Sequence, residues 1–529
     1  MADRGRGTGM VRGFASIGAG TLVSRLSGFA REVATAAIFG AGRSMDIFVA
    51  AFTIPNLFCR VFGESAVESG FMPLFKGLHA RGERERAWKL AGHAGMGLAV
   101  SLLVVVALGI VGAPAIVNVV AHGFRGDTAV ETVRMTRIMF PFGLLIGLAA
   151  LMGAILLAFG RFQVYSLAPV LLNVGIIGAV LLLSRSLGYY SLAIGVLAGG
   201  LLQLLVQVPF VRALAGRDGM RAFRWSLPGR DADLRRAAGL AGPVILSSAI
   251  GRMGVIVDRT VASFLDPGSI SSLYYSFRLV HLPYAILALA AGRSAAPHLA
   301  EEFALERYDG FRKALLSGIR MNLVFLVPVV VLTVWFAEPL CGLVYQRGVF
   351  GERDLAMTAA AFSMYSIGLV SMGIEFLLAT AFAATLNTKT PVKVALGAFF
   401  LNAGLNLLLV RTPLRHAGLA LATSISFTAH AALLYVLLNR RLASFGASVA
   451  RRDLLRTIGL VAVAAGAMLL AVWAVDSRVG MTFAGARVTS RAARMAFSGG
   501  AGLLAYGLAC SRLGLTEVAD LLRMRMTGR

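Results

Sequence analysis

Acidic residues are scarce in this chain: 26 Asp and Glu stand against 51 Lys and Arg in 529 residues, a formal net charge of +25. Cysteine is scarcer still. Cys59, Cys341 and Cys510 lie far apart without CxxC spacing, which excludes a disulfide framework or a zinc site and leaves them as small apolar packing residues. Charge of either sign is thin, at 15% of residues against 57% hydrophobic, a balance too apolar for a soluble globular protein. No phosphate loop, catalytic triad or metal-ligand cluster is legible, so neither an enzyme nor a bound cofactor is expected. The N-terminus is basic (Arg4, Arg6, Arg12), but no short apolar core with a small-residue cleavage site follows. The first helix is therefore expected to stay attached, with its N-terminus in the cytoplasm.

Apolar runs are what the sequence has in abundance. By the length a spanning helix needs, about fourteen are expected: 11–40, 45–75, 90–120, 129–159, 165–183, 191–211, 234–264, 270–299, 311–336, 355–385, 391–410, 417–438, 454–475 and 492–510. The chain reads as an all-α polytopic membrane protein. Its basic excess falls in every second loop. Lys76, Arg81, Arg84, Arg86 and Lys89 follow the second span; Arg212, Arg217, Arg221, Arg224, Arg230, Arg235 and Arg236 follow the sixth; Arg440, Arg441, Arg451, Arg452 and Arg456 follow the twelfth. That alternation is the positive-inside pattern, with attraction to anionic membrane lipid, rather than a nucleic-acid surface. It places both termini in the cytoplasm. The segment before the last span (Arg478, Arg487, Arg491, Arg494) fits this alternation badly.

A long repeat organises the spans. Pro55 corresponds to Pro283 at an offset of 283 − 55 = 228. The tetrads Leu172-Asn173-Val174-Gly175 and Leu401-Asn402-Ala403-Gly404 are offset by 402 − 173 = 229, and Leu192-Ala193 and Leu419-Ala420 by 419 − 192 = 227. Two parallel six-helix halves around a central cavity follow, with an axis along the membrane normal. The expected domains are 1–220 (helices 1–6), 221–445 (helices 7–12) and 446–529, two added helices and a cytoplasmic tail.

The stretch 24–73 is long and apolar enough to cross twice, yet it holds Arg25, Arg31, Glu32, Asp46, Arg60, Glu64 and Glu68. A charge at mid-bilayer costs at least about 2.5–3.5 kcal/mol, so such residues mark a path. Arg60, Glu64 and Glu68, four apart, share a helical face; Arg60–Glu64 reads equally well as a neutralising pair. Arg31 has no acid three or four residues away and is expected to find its partner on another helix, in water or on a substrate. Arg252, Asp258 and Arg259 lie in the seventh span, and Arg278 and His281 in the eighth. A surplus of guanidinium forks suits a multiply charged, phosphate-bearing anion. Asn402 and Asn406, four apart in the eleventh span, are read first as making hydrogen bonds between helices, with side-chain oxygens offered to a cation as the other reading.

The motifs SRLSGFAREVATAAIFGAGRSMDIFVAAFTIPNL, FCRVFGESAVESGFMPLF, YYSFRLVHLP, YQRGVF and NTKTPVKV resemble those of the MurJ (MviN) lipid II flippases, within the multidrug and oligosaccharide-lipid exporter superfamily. The resemblance spans most of the chain. It implies a plasma-membrane protein that moves lipid-linked peptidoglycan precursor from the inner to the outer leaflet by alternating access. Arg25 and Arg31 match the family's first-helix arginines, Asp46 its acid at the outer end, Glu64 its second-helix acid and Arg278 its eighth-helix arginine. The added helices would hold the long lipid tail. The expected substrate-binding set is Arg25, Arg31, Arg60, Arg278, Asn56 and Glu64, with Asp46, Ser24 and Glu32 in gating. Asn402 and Asn406 match the family's sodium site in part, since an acid is expected at the second place; the membrane potential is the other energy source.

This chain departs from the family where Cys59 stands in place of an arginine, Phe277 in place of an acid and His281 in place of another. The rival functions are export of a different undecaprenyl-linked oligosaccharide, cation-coupled drug antiport, for which an arginine surplus is the wrong lining, and a scaffold recruiting cell-wall synthesis proteins.

Overall fold

The structure, a computed structural model, describes residues 2–219, 226, 231–447, 451–482 and 488–515. Arg221, Arg224, Arg230 and Arg487, the expected 220/221 boundary and the tail beyond 515 lie outside the described residues. So do the side chains of Arg4, Arg6, Arg12, Cys59 and Arg451. Every regular element among the described residues is a helix, and the chain forms two compact units. The first comprises Met1–Ser271 with Arg347–Phe350, the second Ser272–Gln346 with Gly351–Arg529. That division follows packing, whereas the boundary at 220 follows sequence correspondence.

The first unit is built from α1 (Ala2–Phe39), α2 (Arg43–Phe58), α3 (Met72–Ala80), α4 (Arg84–Val111), α5 (Ala113–Val120), α6 (Asp127–Met139), α7 (Phe142–Ala158), α8 (Phe162–Leu187), α9 (Tyr190–Arg217) and α10 (Ala232–Ala262). Past it come α11 (Ser269–Pro283), whose first residues still belong to the first unit, then α12 (Leu289–Ala304), α13 (Tyr308–Trp335), α14 (Ala337–Tyr345), α15 (Glu352–Ile367), α16 (Leu369–Ala384), α17 (Lys389–Leu409), α18 (His416–Ala443), α19 (Arg451–Thr482), α20 (Val488–Arg494) and α21 (Gly500–Arg512).

Nine helices among the described residues are long and apolar enough to cross a membrane, or ten when α15 and α16, bent by 43° at Gly368, count as one span. The expected spans beyond these ten are α1, the α2–α3 stretch, α10 and α20–α21. The first three carry Arg25, Arg31, Arg60, Arg252 and Arg259, charges that count against the apolar character a spanning helix needs.

Pairs of π-helical turns interrupt the second span: Cys59–Glu64 and Val67–Phe71 lie in one continuous helix from 43 to 80. The second unit repeats the device, with Tyr284–Ala288 inside the continuous helix Ser269–Ala304. In each case a proline of the repeat, Pro55 or Pro283, sits just upstream. Proline deletes an i→i−4 hydrogen bond and loosens the turn around it. π turns of this kind are frequent at functional sites.

Small residues set the closest approaches, as expected where lipid removes the hydrophobic drive between helices. A Cβ on Gly175 would lie 2.4 Å from the Gly199 Cα, and one on Gly199 would lie 2.5 Å from the Leu172 carbonyl oxygen. Backbone cannot yield as a flexible side chain does. Gly199→Ala should force α8 and α9 apart and cost roughly 1–3 kcal/mol, read as a lowered thermal midpoint in detergent; an unchanged midpoint would refute this packing.

Tyr506 of α21 donates to the Val324 carbonyl at 2.9 Å. Around it Val461, Ala464, Met468 and Val472 of α19 join one buried cluster with α13, α16 and α18. The added helices are thus integral to the second unit. Asp476 of α19, 7% exposed, takes Arg494 in two hydrogen bonds of 2.7 Å, with Trp335 and Ser498 completing its shell. Arg491 bonds Gln346. The basic segment that fitted the loop alternation badly is therefore partly structural, its arginines held by protein partners.

At the junction of α9 and α10 an acidic trio gathers the start of α4. Asp218 accepts from Trp88 at 2.9 Å, Asp233 takes Arg86 at 2.6 and 2.9 Å, and Asp231 pairs with His93. Asp231 also caps α10 by accepting from the Asp233 and Leu234 N–H groups. Burial raises the Asp231 carboxyl, but the bonds from His93, Leu234 and Asp233 outweigh it and hold the group below the usual carboxylate range. A depressed carboxyl stabilises above its unfolded pKa and loses that contribution as pH falls through the folded value. Asp231→Ala should cost about 1 kcal/mol as a lost cap at neutral pH, with the gap from wild type closing below about pH 4. Melting curves at the two pH values check this.

Candidate functional site

The charges of the first unit are placed by three helices. On α1, Arg25 is exposed and makes no hydrogen bond or ion pair among the described residues, while Ser24 offers its carbonyl to Ser27 and Asn173. Asn173 also donates to the Ser27 hydroxyl at 2.9 Å, so the asparagine of the first tetrad fastens α8 to α1. Its counterpart Asn402 does a related job, reaching Thr423 of α18 at 3.4 Å and accepting from Asn406 at 3.1 Å. The helix-to-helix hydrogen bonds anticipated for this asparagine pair are thus present.

Arg31 requires a correction. Its guanidinium pairs with Glu32, the next residue, and the side chains are only 15% and 4% exposed. Neighbours in sequence point about 100° apart on a helix and do not ordinarily meet; here a long, flexible arginine bends round to a buried acid. One partner of Arg31 is thus its neighbour on the same helix.

Asp46, 3% exposed, accepts from the N–H groups of Gly268 at 2.6 Å and Ser271 at 2.7 Å. It satisfies the orphan donors at the start of α11, where a negative charge also meets the positive end of the helix dipole. Arg259 Nη1 reaches the Ile270 carbonyl nearby at 2.9 Å. Within the first unit, Val349 of the YQRGVF motif donates to the Ala37 carbonyl at 2.9 Å. Gly348, at φ +60°, sits where a Cβ would lie 2.0 Å from that oxygen, so only glycine fits.

Arg60 lies exposed in the first π turn and Glu64, half-buried, closes that turn. No ion pair within 4 Å joins them among the described residues. The four-residue spacing assumed an α-helix, and the wider π turn changes the phase between the two side chains. Arg252 of α10 instead lies in electrostatic range of both, with Ser65 and Ser248 in contact at 3.1 Å between the same helices. Glu68 and Tyr165 border the group. Arg252 was visible in the sequence as a charge in the seventh span but was not assigned to binding; its distance in sequence from Arg60 hid the association. Asn56, half-buried one turn before the π segment, makes no hydrogen bond among the described residues.

In the second unit, Arg278 is half-buried with its guanidinium 5.1 Å above the Tyr274 ring. A cation over an aromatic face retains its charge and its fork of donors. Phe277 packs edge-on to His281 at 4.2 Å and to Tyr365 at 5.3 Å, so the position where an acid was expected is an aromatic contact.

Chemically, Arg60 and Arg252 form a cationic pair with Glu64 in range, and Arg25 adds a further exposed cation on α1. The arrangement suits holding an anion by charge and hydrogen bonds. Among the described residues no cluster of His, Cys, Asp and Glu has metal-binding geometry.

The family model described as lipid II flippase MurJ matches residues 35–485. The chain is 32% identical over 441 residues to the lipid II flippase MurJ of Burkholderia cenocepacia, covering 82% of this chain and 84% of that protein. It is 33% identical over 430 residues to the probable lipid II flippase MurJ of Vibrio cholerae, covering 79% and 81%. Among solved structures, a lipid II flippase MurJ in an inward closed conformation superposes with a TM-score of 0.77 at 23% identity, over 97% of this chain and 99% of that one. An inward-facing multidrug MATE transporter gives 0.67 at 13% identity over 80% and 95%, a likeness of fold alone. By sequence and by fold together, the chain belongs to the MurJ family of lipid II flippases.

Proposed function

We propose that this protein moves lipid II, or a closely related undecaprenyl-diphosphate precursor, from the inner to the outer leaflet of the bacterial plasma membrane. The observation that carries the reading is the cationic excess within the membrane-spanning helices of a MurJ-family chain. Burying a dianionic head in hydrocarbon is prohibitive, and arginines replace its lost solvation. In the first unit Arg25, Arg60 and Arg252 are the groups suited to the diphosphate; in the second unit the candidate is Arg278. Arg31, paired with Glu32, joins Asn56 and Glu64 in the substrate-binding set, while Ser24, Glu32 and Asp46 act in gating. The lipid tail stays in the bilayer beside α19–α21. Access alternates from the cytoplasmic to the external face, with both termini cytoplasmic. An interior-negative potential drives outward movement by about 2.3 kcal/mol per charge per 100 mV; sodium at Asn402 and Asn406 is the alternative coupling.

The test is complementation of flippase-depleted cells, with the leaflet distribution of lipid II as readout. Restored growth with lipid II in the outer leaflet supports the reading. Lipid II trapped inside while another lipid-linked glycan appears outside assigns the exporter alternative instead.

A further inference from the structure

One buried titratable pair takes no part in the arginine site. Glu375 stands midway along α16 and His430 midway along α18, with Glu375 Oε1 3.9 Å from His430 Nδ1. Their side chains are 20% and 10% exposed, and no residue among those described lies within hydrogen-bond distance of the carboxylate. The other ring nitrogen, His430 Nε2, is fully buried and has no partner either. Four residues before Glu375 and two before His430, the hydroxyls of Ser371 and Thr428 meet at 2.8 Å, so α16 and α18 are packed together here. From α13, Asn322 presents a third buried atom without a partner, Oδ1, towards Gly373.

The other charged and titratable groups nearby are few. Tyr284 of the π turn Tyr284–Ala288 is in electrostatic range of both Glu375 and Arg293 of α12. Arg320 lies two residues, about 200°, round α13 from Asn322. Helix α17 carries Lys389 and Lys393 in its first two turns, and α15 has its charges at its far end, 352–354.

A lone carboxylate within a spanning helix is costly. The group facing it from α18 that can become cationic is an imidazole, the side chain whose ordinary pKa lies nearest neutrality. We propose that Glu375 and His430 form a proton-binding site inside the second unit. One exchangeable proton is shared by the pair, residing on Glu375 beside neutral His430 or on His430 beside the carboxylate. Release of that proton to solvent leaves the carboxylate facing a neutral ring; uptake restores the neutral pair. A gap of 3.9 Å is just beyond a hydrogen bond, so a small relative movement of α16 and α18 changes the affinity for the proton. The site is separate from Asn402 and Asn406, and its existence does not depend on what the protein carries.

Infrared difference spectra of the purified full chain in lipid nanodiscs, taken between about pH 5 and about pH 9, test this directly. The expected result is a protonated-carboxyl band that appears at the acid end, is lost in Glu375→Gln, and titrates at a midpoint displaced by about one pH unit or more in His430→Gln. If Glu375→Gln fails to fold, the displaced midpoint in His430→Gln serves alone. Identical spectra for wild type and folded Glu375→Gln overturn the proposal. So does a Glu375 band that is constant across the range, or one that His430→Gln leaves in place.

Discussion

Arg60→Ala will abolish complementation of flippase-depleted cells, and adding Glu64→Ala will not rescue it. The sequence left two roles for Arg60 evenly matched. One was to neutralise Glu64 a turn away; the other was to bind the substrate head, in place of the arginine that the family carries where this chain has Cys59. No ion pair within 4 Å joins Arg60 to Glu64, and Arg60 is exposed in a π turn with Arg252 in range. That geometry favours the substrate role. Loss of two charge-assisted hydrogen bonds to a diphosphate is worth about 3 kcal/mol or more, roughly a hundredfold or greater fall in rate. The double mutant separates the roles by the logic of a mutant cycle. Growth and outer-leaflet lipid II restored by Arg60→Ala with Glu64→Ala would end the substrate role of Arg60.

Asp46→Ala will destabilise the protein more than Gly199→Ala or Asp231→Ala does. It strips an acceptor from two buried N–H groups, Gly268 and Ser271. Each unsatisfied donor costs about 1–3 kcal/mol, and a favourable charge at the start of α11 goes as well. A loss of about 2–7 kcal/mol follows by addition. Asp46→Asn keeps one acceptor oxygen while removing the charge, and should fall between. Thermal unfolding in detergent orders the three proteins; an alanine variant that melts with wild type would show that Asp46 serves gating alone. If activity instead falls in a fully stable Asp46→Asn, the charge itself matters to the transport cycle.

Both predictions concern residues whose presence, but not whose partners, could be read from the chain. The apolar runs, the repeat and the charges inside them are local properties, and local periodicity carries them. Asp46 and Gly268 are 222 residues apart, and no spacing rule connects them. Arg31 and Glu32 fail for the opposite reason: they are adjacent, a separation that helical geometry normally discounts. Asn173 and Asn402 occupy matched places in the repeat, yet Gly175 is pressed against Gly199 whereas Gly404 has open space beside it. The repeat conveys topology, and each unit has since found its own contacts. The π turns were marked only by their prolines, which signal a disturbed helix without saying that the disturbance would be absorbed by widening.

That widening has a consequence for how the second span can vary. A π turn houses about one residue more than the α turn it replaces. The helix running from 43 to 80 therefore holds spare chain length at two places, Cys59–Glu64 and Val67–Phe71. A single-residue deletion there is taken up by reversion to α geometry, and the helix ends stay where they are. The same deletion in the uninterrupted α9 (Tyr190–Arg217) would swing every later side chain by about 100°. A one-residue change of length after Pro55 would thus be absorbed locally, and the position that offers a guanidinium could slide by one residue along the chain without dislodging the scaffold on either side.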